Sequence, residues 1–93
     1  DSTLCDAAAT RAREIASYFS HTRPDGSQWY TVSSLAHGEN IIMGTGMDAD
    51  RAMTDWMNSQ GHRDNILDGS YGSLGVGCCQ SGREIYWVQL FGY

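Results

Sequence analysis

The sequence predicts an α+β fold in which a small antiparallel sheet lies between helical layers, and three observations carry that prediction. Apolar residues recur at helical spacing near the N-terminus and again around residues 49–57. The last third alternates and turns in the manner of a β-hairpin, and its closing strand is apolar on both faces. A strand with Ile85, Trp87 and Phe91 on one side and Tyr86, Val88 and Leu90 on the other must be covered twice, which favours a three-layer α-β-α sandwich. The 93 residues form one domain, 1–93, with a modest core and no room for a second.

Leu4, Ala8, Ala12, Ile15, Ala16 and Phe19 define an amphipathic helix ending near Ser20, with Ser2 or Thr3 as N-cap and Asp6 in the first turn. Pro24-Asp25-Gly26 then makes a turn, because proline fixes φ and glycine permits positive φ. Residues 28–37 have weak periodicity and suit a short helical turn or irregular segment. Glu39 to Met43 reads as a short strand stopped by Gly44-Thr45-Gly46. Asp48 is a good N-cap for a helix with the stripe Ala49, Ala52, Met53, Trp56 and Met57, and Gly61 is expected to end it at the C′ position. Leu74, Val76 and Cys78 alternate with Gly75, Gly77 and Cys79 before a Ser81-Gly82 turn and the strand Ile85–Phe91.

Six arginines and no lysine stand against eleven acidic residues, a formal net charge of −5. Without a basic stripe the chain is not a nucleic-acid binder, and the scattered arginines read as part of a solvated acidic surface. No apolar run approaches the roughly 18 residues of a membrane-spanning helix, and the N-terminus lacks the layout of a signal peptide, so a soluble chain without a transmembrane segment is expected.

Cys5, Cys78 and Cys79 permit at most one intramolecular disulfide. Adjacent strand residues point to opposite faces, so Cys5 would pair with Cys78 or with Cys79; the alternative is three buried, reduced thiols. Nothing nearby would lower a thiol pKa for catalysis.

His21, Glu39 and His62 each sit beside turn or helix-end chemistry, where a polar side chain can be fixed at the mouth of a small domain. Their spacings of 18 and 23 residues exclude a local helical ligand pair, so only the tertiary fold could assemble them.

The ordered motifs at 19–27 (FSHTRPDGS), 38–41 (GENI), 56–67 (WMNSQGHRDNIL), 74–77 (LGVG) and 86–92 (YWVQLFG) resemble the bacterial branch of the CAP superfamily, the cysteine-rich secretory, antigen 5 and pathogenesis-related 1 proteins, also called SCP-like domains. The resemblance implies an α-β-α sandwich and a secreted or cell-surface protein. It also implies a cleft of two His and two Glu that holds a divalent ion in some members. Carried over residue by residue, the cleft residues are His21, Glu39 and His62. The second Glu has no counterpart, since 56–59 reads Trp-Met-Asn-Ser. Two imidazoles and one carboxylate still suit a weakly held Zn²⁺ or other divalent cation with an open position.

Two functions follow from the resemblance. The favoured one is a binding module for an extracellular ligand such as a peptide, a lipid or a cell-wall fragment. The other is a metal-assisted hydrolase using His21, Glu39 and His62, with Glu39 and His62 as its catalytic candidates; the missing carboxylate weighs against it, so enzymatic activity is not the primary expectation. Ser59 lacks a nucleophile-elbow context. Trp56 is expected in the core, His37 at the surface or cleft rim, and Arg63 and Asn65 as braces of the loop. Relatives usually begin with a further helix before the one that starts here at Leu4; the expectation is either that this helix is cleaved or omitted, or that the domain is a minimal version whose exposed core edge a partner covers.

Overall fold

The N-terminal helix forms as α1, Ser2–Ser17, in the computed structural model, which describes residues 1–93. Its cap is Asp1 and not Ser2 or Thr3: the Asp1 carboxylate accepts from the Leu4 N–H at 3.0 Å. Leu4, Ala7, Ala8, Arg11, Ala12 and Ile15 make the buried face. The helix stops short of Ser20 because Tyr18 turns extended, with φ −150°. Phe19 therefore leaves the expected stripe, and its exposed ring lies 6.4 Å from that of Tyr86.

A 3-10 turn at Trp29–Val32 precedes β1, Gly38–Thr45. Asp48 caps α2, Ala49–Met57, its side chain accepting from the Arg51 N–H at 2.8 Å. The next element corrects the expectation for Gly61. α2 ends at Asn58, and a separate helix α3, Gln60–Leu67, starts after Ser59, so Gly61 lies inside the first turn of α3 and has no left-handed φ. Asn58 and Ser59 are the residues that break the helix, since both side chains favour caps over helix interiors. β2, Ser73–Ser81, and β3, Glu84–Gly92, complete the chain as a hairpin.

β3 is the central strand, flanked by β1 and β2, with both pairings antiparallel. Register sets Glu39 opposite Leu90 and Gly75 opposite Leu90, while Asn40 and Val76 oppose Gln89. With a side-chain period of two, Glu39, Ile41, Val88, Leu90, Gly75, Gly77 and Cys79 share one face. Asn40, Ile42, Trp87, Gln89, Leu74, Val76 and Cys78 share the other. Leu4, Ala8, Ala12 and Ile15 of α1 pack with Ile41, Val88 and Leu90 as the first core. Ala52 and Trp56 of α2 form the second with Met47, supported by Ile42, Ile66 and Trp87. The sheet thus lies between helical layers, as the two-faced closing strand required. Trp56 is buried as expected, its indole N–H donating to the Ile41 carbonyl at 3.3 Å.

α1 lies directly on β2 at two glycines. A Cβ at Gly75 would collide with the helix backbone at Leu4 and Cys5, and one at Gly77 with that at Ala8 and Ala9. This contact also corrects the disulfide expectation, for all three cysteines are free. Cys79 shares the α1 face, but it lies four residues beyond Gly75, the neighbour of Cys5, or about 13 Å along the strand. A bridge needs Cα atoms within about 7 Å. Cys78 points to the opposite face, and both it and Cys5 are exposed.

Candidate functional site

Glu39, near the start of β1, faces α1 with its side chain wholly buried. A buried carboxylate needs compensation, and Arg11 supplies it from α1: Nε donates to Oε2 at 2.7 Å and Nη2 to Oε1 at 3.1 Å. The guanidinium is itself fully buried and also donates to Glu14 Oε1 at 2.9 Å and to the Ser20 carbonyl at 2.9 Å. Burial by itself would lower the Arg11 pKa, but the hydrogen bonds and charges of Glu39 and Glu14 outweigh it and the pKa is raised. Arg11 is the residue that sequence reasoning misses. Its charge groups it with the surface arginines, yet its place beside Ala8, Ala12 and Ile15 on the helix puts a cation on an apolar stripe, which is the available signal.

His21 joins this pair from the loop after α1. Its Nδ1 lies 2.8 Å from Glu39 Oε1, and because a carboxylate only accepts, Nδ1 carries the proton and Nε2 is the free nitrogen. The loop is tied down on both sides of Pro24. Arg23 Nη2 donates to Glu14 Oε2 at 2.7 Å, and Asp25 accepts from the Ser27 N–H at 2.9 Å. Burial pushes the Glu14 pKa up, but Arg23 and Arg11 together hold it below the usual value. One run of contacts, Arg23–Glu14–Arg11–Glu39–His21, thus fixes the position of the imidazole.

His62 belongs to the opposite layer, in the first turn of α3. That helix is pinned to β1 by amides. Asn65 Nδ2 donates to Asn40 Oδ1 at 3.0 Å and to the Glu39 carbonyl at 3.4 Å, and Asn40 Nδ2 donates to the His62 carbonyl at 3.0 Å. Asn65 is therefore the expected brace. His37, exposed as expected, has its ring 4.4 Å from that of Tyr93. β1 is an outer strand, and the His21–Glu39 pair belongs to its α1 side whereas His62 belongs to the layer on its other side.

The His62 pKa is lowered, first by burial and second by the charge of His21, which links the two imidazoles electrostatically. Between that lowered value and the ordinary 6.5 the unfolded chain binds the proton more readily, so stability falls as pH drops through this window. Proton NMR titration should place the His62 midpoint below 6.5, with His21→Gln moving it part of the way back. An unmoved midpoint in the variant would leave burial as the only cause.

The donor set suits a divalent cation poorly. Both Glu39 oxygens are engaged by a guanidinium, and one also by His21. No group of three or more His, Cys, Asp or Glu side chains is placed to hold a metal ion. The exposed His21 ring has Nε2 free, and the His62 ring is half-buried.

Comparison with known proteins agrees with this architecture. The chain is 33% identical over 99 residues to the uncharacterized protein YkwD of Bacillus subtilis (strain 168), covering 98% of this chain and 37% of that protein. A crystal structure of an extracellular protein containing a SCP domain from Bacillus anthracis str. Ames superposes with a TM-score of 0.78 at 24% identity, covering 99% of this chain and 32% of that one. An outer surface protein from Borrelia burgdorferi superposes with a TM-score of 0.76 at 20% identity, covering 99% of this chain and 74% of that one. The chain thus spans about a third of the length of the two Bacillus proteins. The family model for the cysteine-rich secretory proteins matches residues 1–91, and the chain belongs to that family, CAP.

Proposed function

We propose that the domain is a secreted binding module whose cleft of His21, Glu39 and His62 takes a polar extracellular ligand, with divalent metal held weakly if at all. Its fold neighbours are described as an extracellular and an outer surface protein, and no helix here is long and apolar enough to cross a membrane. The observation that carries the reading is the saturation of Glu39 by Arg11, because a carboxylate clamped by a buried guanidinium is a poor metal ligand and a poor general base. The imidazoles remain, and they offer one donor or acceptor each to a peptide or cell-wall fragment. The hydrolase reading requires Glu39 to leave Arg11, which would leave the buried guanidinium with Glu14 as its one remaining counter-charge.

Calorimetric titration with Zn²⁺ tests this, comparing the parent with His62→Ala. The expected dissociation constant is above about 10 µM, with little difference between the two proteins. Tight binding that vanishes in His62→Ala would overturn the metal claim, and zinc-dependent cleavage of a peptide library would favour the hydrolase.

A further inference from the structure

On the α1 side of the sheet, the stretch from Trp29 to His37 encloses a hollow of about 280 Å³ walled by Trp29, Tyr30, Ser33, Ser34, Ala36 and His37. All six belong to one run of chain, fixed before it by the Thr22–Gln28 bridge and after it by β1, so no residue outside 29–37 is needed to line the hollow. It shares no residue with the His21–Glu39–His62 site.

Two aromatic rings shape it. Trp29 is partly buried and packs on the first core, whereas Tyr30 is 52% exposed. Their ring centroids are 5.6 Å apart and their planes stand at 90°, which makes a square corner. Around the corner are groups with hydrogen bonds to give. Ser33 Oγ accepts from the Leu35 N–H at 3.2 Å, which leaves its own O–H to donate. The Trp29 indole N–H takes no part in the protein's hydrogen bonds, and since no buried side-chain nitrogen or oxygen lacks a partner, it reaches solvent. Ser34 and His37 are exposed, and the His37 ring is steadied by Tyr93, 4.4 Å away.

We propose that this hollow binds one pyranose unit of an uncharged extracellular glycan. An all-equatorial sugar ring has C–H bonds on its two flat faces and hydroxyls around its rim. One C–H face lies on a ring of the corner, where the negative face of the aromatic quadrupole attracts it, and the sugar's edge meets the other ring. The rim hydroxyls meet Ser33, Ser34, His37 and the indole N–H, which between them donate and accept as hydroxyls require. The same features turn other ligands away. A phosphate or carboxylate finds no Lys or Arg in the walls and a formal charge of −5 on the chain. An alkyl chain would take water from the serine hydroxyls and return no hydrogen bond. An extended peptide finds no main-chain donors, because the N–H groups of Leu35, Ala36 and His37 are already bonded to Ser33 Oγ, the Ser33 carbonyl and the Phe91 carbonyl. Its side chains would meet only Ala36 beside the two rings. The proposal extends the binding-module reading to a second site, and the zinc titration of the histidine cleft can fail without touching it.

The test follows the Trp29 indole N–H signal of the ¹⁵N-labelled domain during titration with cellobiose and with N,N′-diacetylchitobiose, two sources of the same all-equatorial ring. N-acetyl-Leu-Lys-amide and decanoate are titrated in parallel. At least one disaccharide should move the indole signal and the Ser34 and His37 amides, saturating at about millimolar concentration, and the tighter of the two names the source of the glycan. Tyr30→Ala, at an exposed position, should weaken binding about tenfold. His37→Phe, which keeps a ring against Tyr93 but loses the hydrogen bond, should weaken it about fivefold. Met53→Gln, at an exposed position of α2, should leave it unchanged. Absent shifts with both sugars, undiminished binding in Tyr30→Ala, or equal shifts with the dipeptide or decanoate would overturn the glycan assignment. Shifts that grow with protein concentration alone would overturn it too, and would assign the hollow to a second copy of the chain.

Discussion

Arg11→Leu is expected to remove about 3–5 kcal/mol of stability, because it strands the buried Glu39 carboxylate with only His21 beside it. A small domain holds roughly 5–15 kcal/mol in all, so the variant should be partly or wholly unfolded at 37 °C. Lysine would not rescue it. One ammonium cannot supply the fork to both Glu39 oxygens together with the bonds to Glu14 and the Ser20 carbonyl. The double variant Arg11→Leu/Glu39→Leu should regain part of the loss, since it leaves no charge unpaired. Urea unfolding of the set decides the matter, and a loss below about 1 kcal/mol in Arg11→Leu would mean that the pair contributes no more than a surface ion pair.

Gly77→Ala should be nearly as damaging, at about 3 kcal/mol, the upper end of ordinary overpacking. A β-carbon there meets the carbonyl of Ala8 and the amide of Ala9, backbone atoms that can yield only by moving the whole of α1 off the sheet. Gly61→Ala is the matched control. It lies in a helix with nothing within 4 Å of the new methyl, so it should be neutral or stabilise the domain by about 0.5–1 kcal/mol. If the two alanine variants unfold at similar urea concentrations, the close approach of α1 to β2 is not what the glycines serve.

Much of the layering is legible in the sequence because it rests on local pattern. The two-faced strand 85–91 calls for cover on both sides, and Ala52 and Trp56 mark the second core by their spacing alone. Gly61 misleads at the α2–α3 boundary because glycine is a common helix stop, whereas the break lies at Asn58 and Ser59. The site is legible only in part. His21 and Glu39 are in contact, but the group that governs them, Arg11, is 28 positions from Glu39, and its charge hides its place on the apolar face. The disulfide expectation fails for a similar reason. Facing direction follows from parity, whereas the offset of about 13 Å between Cys5 and Cys79 depends on how far along β2 the helix lies, which no periodicity reveals.

That helix placement also dictates an order of assembly. α1 precedes β2 and β3 in the chain and has its main contacts on them, so the first core closes across a loop of more than fifty positions. A nascent or threading chain that ends before Ser73 offers Leu4, Ala8 and Ile15 the residues around Ala36 and Ile41 but not Val88 and Leu90. It must travel with that helical face largely bare until the hairpin arrives, and the core then closes at a rate set by long-range closure.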